Sequence, residues 1–241
     1  MIQIVVDTLN RLSELQQTLM AIWERTTTPY RLHVIDDASV EGNQKWLLQM
    51  RRQGKIHSLT LRTKRGGIPA NWNEAAQTGD GEILVYTNGD ALCPQVEPDW
   101  LARGLAVLKK YPDLGMLSLN DPMCTAKCAW KVVERRDGVT LTDRVPSFFL
   151  FVRRALMQKI VLPAVGGKAY KLPVFESYKG IDRIWSRGAQ VNGYVVGYLT
   201  RTYCQHIGYQ SVRTGADLHV WGKRVMPINM ATLEPPERYA G

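Results

Sequence analysis

An α/β fold with a mostly parallel central sheet is what this chain predicts, and three observations carry that expectation. Short apolar runs rich in β-formers alternate with segments of helical period through the first ninety residues. The connections between them are short, as right-handed βα units require. Acidic or amide residues follow three of the apolar runs directly: Asp7-Thr8, Asp36-Asp37 and Asn88-Gly89-Asp90. In an open parallel sheet those positions fall on one edge, where ligands bind.

In chain order, Ile2 to Val6 is the first strand. Thr8-Leu9-Asn10 turns into a helix with Asn10 or Ser13 as its cap. Leu12, Leu15, Leu19, Ile22 and Trp23 recur at helical spacing, and Thr26 to Pro29 ends the helix. Arg31 to Ile35 is the second strand, followed by a helix carrying Trp46, Leu47 and Met50. Ile56 to Leu61 is the third strand, then the basic loop Arg62 to Gly67. Pro69 suits the first turn of a helix that runs to Gln77. Ile83 to Tyr86 is the fourth strand.

The second half reads as mixed. Pro98 opens a helix with Leu101, Leu105 and Leu108 inward, and Gly115 to Leu119 is a strand. Ala129 to Val133 and Val139 to Thr142 form a hairpin about Asp137-Gly138. Ser147 to Val152 is a buried strand, Gly180 to Gln190 a helix, and Tyr194 to Leu199 and Arg201 to Gln205 are two closing strands. Trp72, Trp100, Trp130 and Trp185 are mostly core. One domain, residues 1–208, is expected, with its first half near 1–120 and its second near 121–208. Residues 209–241 form an extension packed on it.

Composition narrows the class. No apolar run reaches membrane-spanning length, and the amino terminus lacks the basic start and apolar core of a secretory signal. Four cysteines do not suggest a disulfide framework, so a cytoplasmic location is expected. Cys124-x3-Cys128 with Cys204 and His206 has an unusual spacing for zinc. The formal charge is +9, with seven basic and no acidic residues from Gly42 to Asn73 and six and none from Arg144 to Phe175. Such tracts favour a polyanion or a phosphorylated ligand, or belong to an ordinary basic enzyme. Gly166-Gly167-Lys168 lacks the rest of a phosphate-binding loop, Gly79-x-Gly81 precedes a strand and fails as a dinucleotide fingerprint, and no Gly-x-Ser-x-Gly elbow occurs.

Asn88-Gly89-Asp90 alone is a common turn. At a ligand-binding edge, its carboxylate and amide can also hold a divalent cation and, through it, a diphosphate. Five segments together resemble family-2 glycosyltransferases of the GT-A fold. They are Ile4 to Arg11 with its Thr-x-Asn-Arg turn, His33 to Ser39 with Asp36-Asp37, and Gly67 to Asn73, where Trp72 stands in place of the usual Arg. The other two are Gly81 to Asp90, on the strand and Asp-x-Asp signature, and Ile181 to Arg187, on the Glu-Asp-x-x-Trp-x-Arg helix with Ile181 for Glu. Gly193 to Tyr198 is similar to the strand that follows. The Asn-x-Asp form resembles a rhamnosyltransferase-like branch.

The resemblance implies sugar transfer from a UDP- or dTDP-linked donor to an acceptor hydroxyl, with inversion at the anomeric carbon. It implies a Mn²⁺ or Mg²⁺ ion on Asp90 with His206 as a late ligand, and Asp182 as general base, with Glu176 a possible substitute. Asp36 or Asp37 meets the nucleotide base, assisted by Thr8, while Asn10 lies in the same turn. Asn88 positions the ion or a ribose. Arg11, Lys64 and Arg65 approach the diphosphate or face solvent. The basic tracts suggest a polyanionic acceptor such as DNA with hydroxymethylated pyrimidines. The competing reading is an inactive nucleic-acid-binding protein on the same scaffold.

Overall fold

The computed structural model describes residues 1–122, 130–166 and 177–208, without the side chains of 161–166 and 177–181. Its first half is a run of βα units: β1 (Ile2–Thr8), α1 (Leu12–Arg25), β2 (Arg31–Asp36), α2 (Glu41–Arg52), β3 (Ser58–Leu61), α3 (Gly67–Gln77) and β4 (Ile83–Asn88). The four strands pair in parallel in the order β3-β2-β1-β4. Both faces are covered, so the strands alternate between two apolar layers rather than between core and water. Ile4, Val6 and Val85 pack with Leu15, Leu19 and Ile22 of α1. Val5, Leu84 and Tyr86 pack with Trp72, Ala75 and Ala76 of α3.

The second half comprises β5 (Ala91–Leu92), α4 (Trp100–Lys110), β6 (Leu114–Asn120), β7 (Val132–Arg136), β8 (Val139–Thr142) and β9 (Leu150–Arg153). It continues through α5 (Arg154–Gly166), α6 (Ser177–Val191), β10 (Val195–Tyr203) and β11 (Gln205–His206). The nine-stranded sheet runs β3-β2-β1-β4-β9-β6-β10-β8-β7, and β9 is antiparallel to both β4 and β6. The expected mostly parallel sheet with a mixed second half is therefore present, as is the hairpin, whose first strand begins at Val132. Trp72, Trp100 and Trp185 are buried, and Trp130 is half-buried.

Several boundaries differ from expectation for local reasons. Helix α4 starts at Trp100 because Asp99 caps it, its Oδ1 accepting from Ala102 N at 2.8 Å. Neither Asn10 nor Ser13 caps α1. The N-cap is Arg11, without a side-chain cap, and Asn10 Oδ1 accepts from Val40 N instead. The two closing strands are one, β10, because pairing with β6 resumes at Tyr203↔Asn120 after an irregularity. Helix α5 was not expected at all: it follows β9 without a connecting residue, so no turn chemistry announces it. Cys124, Cys128, Glu176 and the 209–241 extension lie outside the described residues. Among the described residues no helix is long and apolar enough to cross a membrane.

Candidate active site

Register aligns the three polar strand ends. Asp7 pairs with Ile35 and Asn88, and Thr8 pairs with Asp36, so all three ends lie on one edge of the sheet. The chain turns tightly there. Gly89 N donates to Asp7 O at 2.7 Å, and a Cβ on Gly89 would sit 3.0 Å from Thr8 Oγ1 and 3.2 Å from Leu15. Glycine is thus what allows the turn to lie against β1. Thr8 is buried, and Asn88 Oδ1 is buried without a hydrogen-bond partner.

Asp90 is the centre of charge. It is 7% exposed. Strands β5 and β11, two residues each, pair antiparallel with Ala91 opposite His206. Ile207 N donates to Asp90 O at 2.8 Å, continuing the ribbon. This ribbon carries His206, more than a hundred residues away in sequence, to Asp90, placing Nε2 3.2 Å from Oδ1. The Phe148 ring lies against His206, with centroids 4.4 Å apart. Arg11 Nη1 forms a close ion pair with Asp90 Oδ2. Burial alone would raise the Asp90 pKa, but His206 and Arg11 outweigh it and hold the carboxyl below its usual value.

Asp36 and Asp37 have structural partners. Asp36 Oδ2 accepts from Ser39 N at 2.9 Å and Gln44 Nε2 at 3.0 Å, and its Oδ1 is buried without a partner. Asp37 Oδ1 and Oδ2 accept from Gly66 N at 2.6 Å and Gly67 N at 2.9 Å, which pins the basic loop to the end of β2. Lys64 and Arg65 are exposed, and neither has an ion pair among the described residues. The cation of that loop that turns inward is Arg62. Its Nε donates to Asn71 Oδ1 at 2.5 Å, its Nη2 donates to Glu74 Oε2 at 2.5 Å, and Nε lies 3.8 Å from Asp37 Oδ1.

The sequence marks Asp7 as a strand end and not as a member of the site. It is buried, and its Oδ1 accepts from Asn71 Nδ2. Burial pushes its pKa up to about 7; the Asn71 hydrogen bond opposes this, while nearby Asp37 and Asp90 add to it. A carboxylate ending β1 and the first basic residue after β3 were the signals for Asp7 and Arg62. Both occupy the same edge as Asp36.

Asp182 lies in the second turn of α6, not at its amino terminus, because the helix starts at Ser177. Asp182 is half-buried with Oδ1 unpaired. Burial pushes its pKa up to about 6 against the hydrogen bond of Ser147 and the charge of Arg144. Ser147 precedes Phe148, so one short segment touches both Asp182 and His206.

A ligand edge built from parallel strand ends, with an acidic centre and a second carboxylate on the mixed side, defines a GT-A type of fold. Solved structures with this architecture include the mannosyltransferase PcManGT from Pyrobaculum calidifontis in complex with GDP-Man and Mn²⁺. It is 21% identical at a TM-score of 0.62, over 86% of this chain and 56% of that one. They also include S. aureus TarS 1–349 in complex with UDP, 15% identical at a TM-score of 0.58, over 84% and 59%. GalNAc-T7 with UDP, GalNAc and Mn²⁺ is 14% identical at a TM-score of 0.62, over 85% and 43%. The chain thus spans about half the length of these structures. No curated protein matches by sequence. The chain belongs to glycosyl transferase family 2, whose family model matches residues 3–158.

Proposed function

We propose that the chain is a glycosyltransferase that moves a sugar from a nucleoside diphosphate sugar to an acceptor hydroxyl. The observation that carries this is the β5–β11 ribbon, which brings His206 to Asp90 at the ligand edge of the sheet. Carboxylate and imidazole suit Mn²⁺, and also Mg²⁺ with the diphosphate and water completing the shell. Asp90 and His206, 3.2 Å apart, would be the protein donors, and Asn88, two residues before Asp90, would position the ion or a ribose. Such an ion, when bound, neutralises the charge that develops on the leaving diphosphate.

The protein's own residues do the rest. Thr8, Asn10, Asp36 and Asp37 line the edge that receives the nucleoside. Base contact through Asp37 exchanges the Gly66 and Gly67 amides for a uracil or thymine imide. Arg11 serves the diphosphate, and Lys64 and Arg65 approach from the exposed loop. Residues beyond about 121 form the acceptor side. There Asp182 takes the proton of the acceptor hydroxyl as its oxygen bonds to the anomeric carbon. The bond to the diphosphate oxygen breaks on the opposite face, which inverts the centre. The raised pKa of Asp182 suits a base working near neutrality. The Asn88-Gly89-Asp90 form supports the rhamnosyltransferase-like branch.

A DNA-like acceptor rests on the two basic tracts, and the inactive nucleic-acid binder rests on them together with the departures at Asn88 and Ile181. Two cations of the second tract point inward. Arg154 donates to Gly81 O, Ala75 O, Ala76 O and Thr78 O, and Arg153 to Leu108 O. These contacts serve folding, so the acceptor is proposed only as a hydroxyl compound. The direct test is a screen of UDP-, dTDP- and GDP-sugars for Mn²⁺-dependent hydrolysis. Turnover is expected with at least one donor, and Asp90→Ala is expected to lower it by at least a hundredfold, roughly the loss of one strong electrostatic group. Unchanged turnover in that variant would sink the metal assignment.

A further inference from the structure

Arg11 holds the very carboxylate that the metal needs. Its Nη1 pairs with Asp90 Oδ2 while His206 Nε2 faces Oδ1, so both oxygens already have a nitrogen partner. Building on the proposed metal and donor site, we propose that Arg11 occupies the cation seat at Asp90 before the donor binds and transfers to the diphosphate when it arrives. Metal-free Asp90 is thereby kept charge-balanced, and nucleotide binding clears the seat for the ion.

Three features of the chain support this exchange. First, the backbone that aims Arg11 is held by tertiary contacts rather than by propensity. Asn10 and Arg11 both have left-handed backbone, with φ of 57° and 56°. Non-glycine residues rarely adopt it, and two in succession need external support. Asn10 N donates to Ser39 Oγ at 2.7 Å and Val40 N to Asn10 Oδ1 at 3.0 Å, fixing the base of the side chain. The Arg11 side chain as a whole remains 31% exposed, which leaves it room to change partner.

Second, the pair is closely covered. Gly208 O lies 3.5 Å from Arg11 Nη1, and a Cβ on Gly208 would stand 1.9 Å from Asp90 Oδ2 and 2.5 Å from that nitrogen. A divalent ion and its remaining ligands need the space that the guanidinium fills. Third, Arg11 is the cation suited to the transfer. Arg62 is tied to Asn71 and Glu74, Lys64 and Arg65 stand in solvent, and Trp72 is neutral and buried. A guanidinium beside a divalent cation on one carboxylate is repelled, and a diphosphate offers it two oxygens in fork geometry.

The exchange makes opposite demands on the two ligands, and the test reads both. Mn²⁺ binding to the nucleotide-free protein is titrated by electron paramagnetic resonance. UDP, GDP and dTDP binding is titrated by calorimetry, for wild type, Arg11→Gln and Arg11→Lys. Arg11→Gln is expected to bind Mn²⁺ alone about tenfold more tightly, and the nucleotide about tenfold more weakly, an ordinary coupling between sites. Arg11→Lys, which keeps the charge but loses the fork, is expected to move both in the same directions by roughly threefold. It carries the test if Arg11→Gln does not fold. Weaker or unchanged Mn²⁺ binding in these variants overturns the exchange. An Asp90→Ala control separates the layers: if it abolishes Mn²⁺ binding while the Arg11 variants change nothing, the metal site stands and the exchange falls. If wild type binds no Mn²⁺ with any nucleotide, the site and the exchange fall together.

Discussion

Asp182 gives the site a pH signature that can be read residue by residue. As the proposed general base its carboxyl must be ionised to accept the hydroxyl proton, and its pKa is raised to about 6 by burial. The sign follows directly: kcat/KM should rise with pH through about 6 and level off above it. Ser147 donates to the carboxylate and favours its charged form. Ser147→Ala should therefore move the rising limb to higher pH while leaving the plateau within a few-fold, measured on whichever donor turns over. A limb that stays in place would remove Asp182 as the titrating base. Asp90 behaves in the opposite way, because His206 and Arg11 keep it ionised despite burial. Two carboxylates with opposed environments, linked through the adjacent Ser147 and Phe148, match the two roles proposed for them, one kept charged and one poised to take a proton.

At the scale of elements, Arg154 ties the start of α5 to the end of α3. Its Nη1 donates to Ala75 O and Ala76 O at 2.9 Å and to Thr78 O at 2.6 Å, closing carbonyls that the helix end leaves open. Nη2 donates to Gln3 Oε1 at 2.6 Å, and Gln3 in turn meets His33 at 3.2 Å. Arg154→Met keeps much of the stem and loses every one of these bonds. It should cost about 3 kcal/mol in urea denaturation, since several buried acceptors lose a charged donor together. A cost under about 0.5 kcal/mol would instead mark Arg154 as a surface cation, the size expected away from such features. The β5–β11 ribbon shows the other side of element-scale reasoning. Two strands of two residues have little stability of their own. Cys204 N donates to Asn120 O at 2.8 Å and Arg25 Nη1 to Cys93 O at 2.8 Å, so the ribbon is anchored on both flanks by the body.

For the whole molecule, the stack of Tyr86, Trp72 and Trp185 joins the two halves. Trp72 of α3 lies 4.5 Å from Tyr86 of β4 and 4.5 Å from Trp185 of α6, ring centre to ring centre. Trp72 and Trp185 belong to two of the motif segments noted in the sequence, so the departure from Arg at position 72 has a packing reason. An arginine there would bury its charge between two aromatic rings. Trp72→Ala should destabilise the protein by about 4 kcal/mol. The loss should appear in both halves at once, seen as coincident denaturation followed by fluorescence and circular dichroism. Non-coincident transitions would mean that the halves fold independently.

The strand and helix pattern of the first half was legible because periodicity and short connections are local properties, and both layers of a parallel sheet leave their mark on each strand. The same logic puts Asp7, Asp36 and Asn88 on one edge from the sequence alone. The segment order also pointed to His206 and Asp182, through resemblance. What the chain alone did not reveal was partnership. Arg62 rather than Lys64 or Arg65 turns inward, Arg153 and Arg154 serve carbonyls rather than a polyanion, and α5 follows β9 without a signal. Direction of a long side chain depends on which acceptors the fold brings near, and those come from distant elements. The meeting of Asp90, His206 and Arg11 is of that kind: three residues distant in sequence, gathered by the sheet edge and a four-residue ribbon anchored on the body.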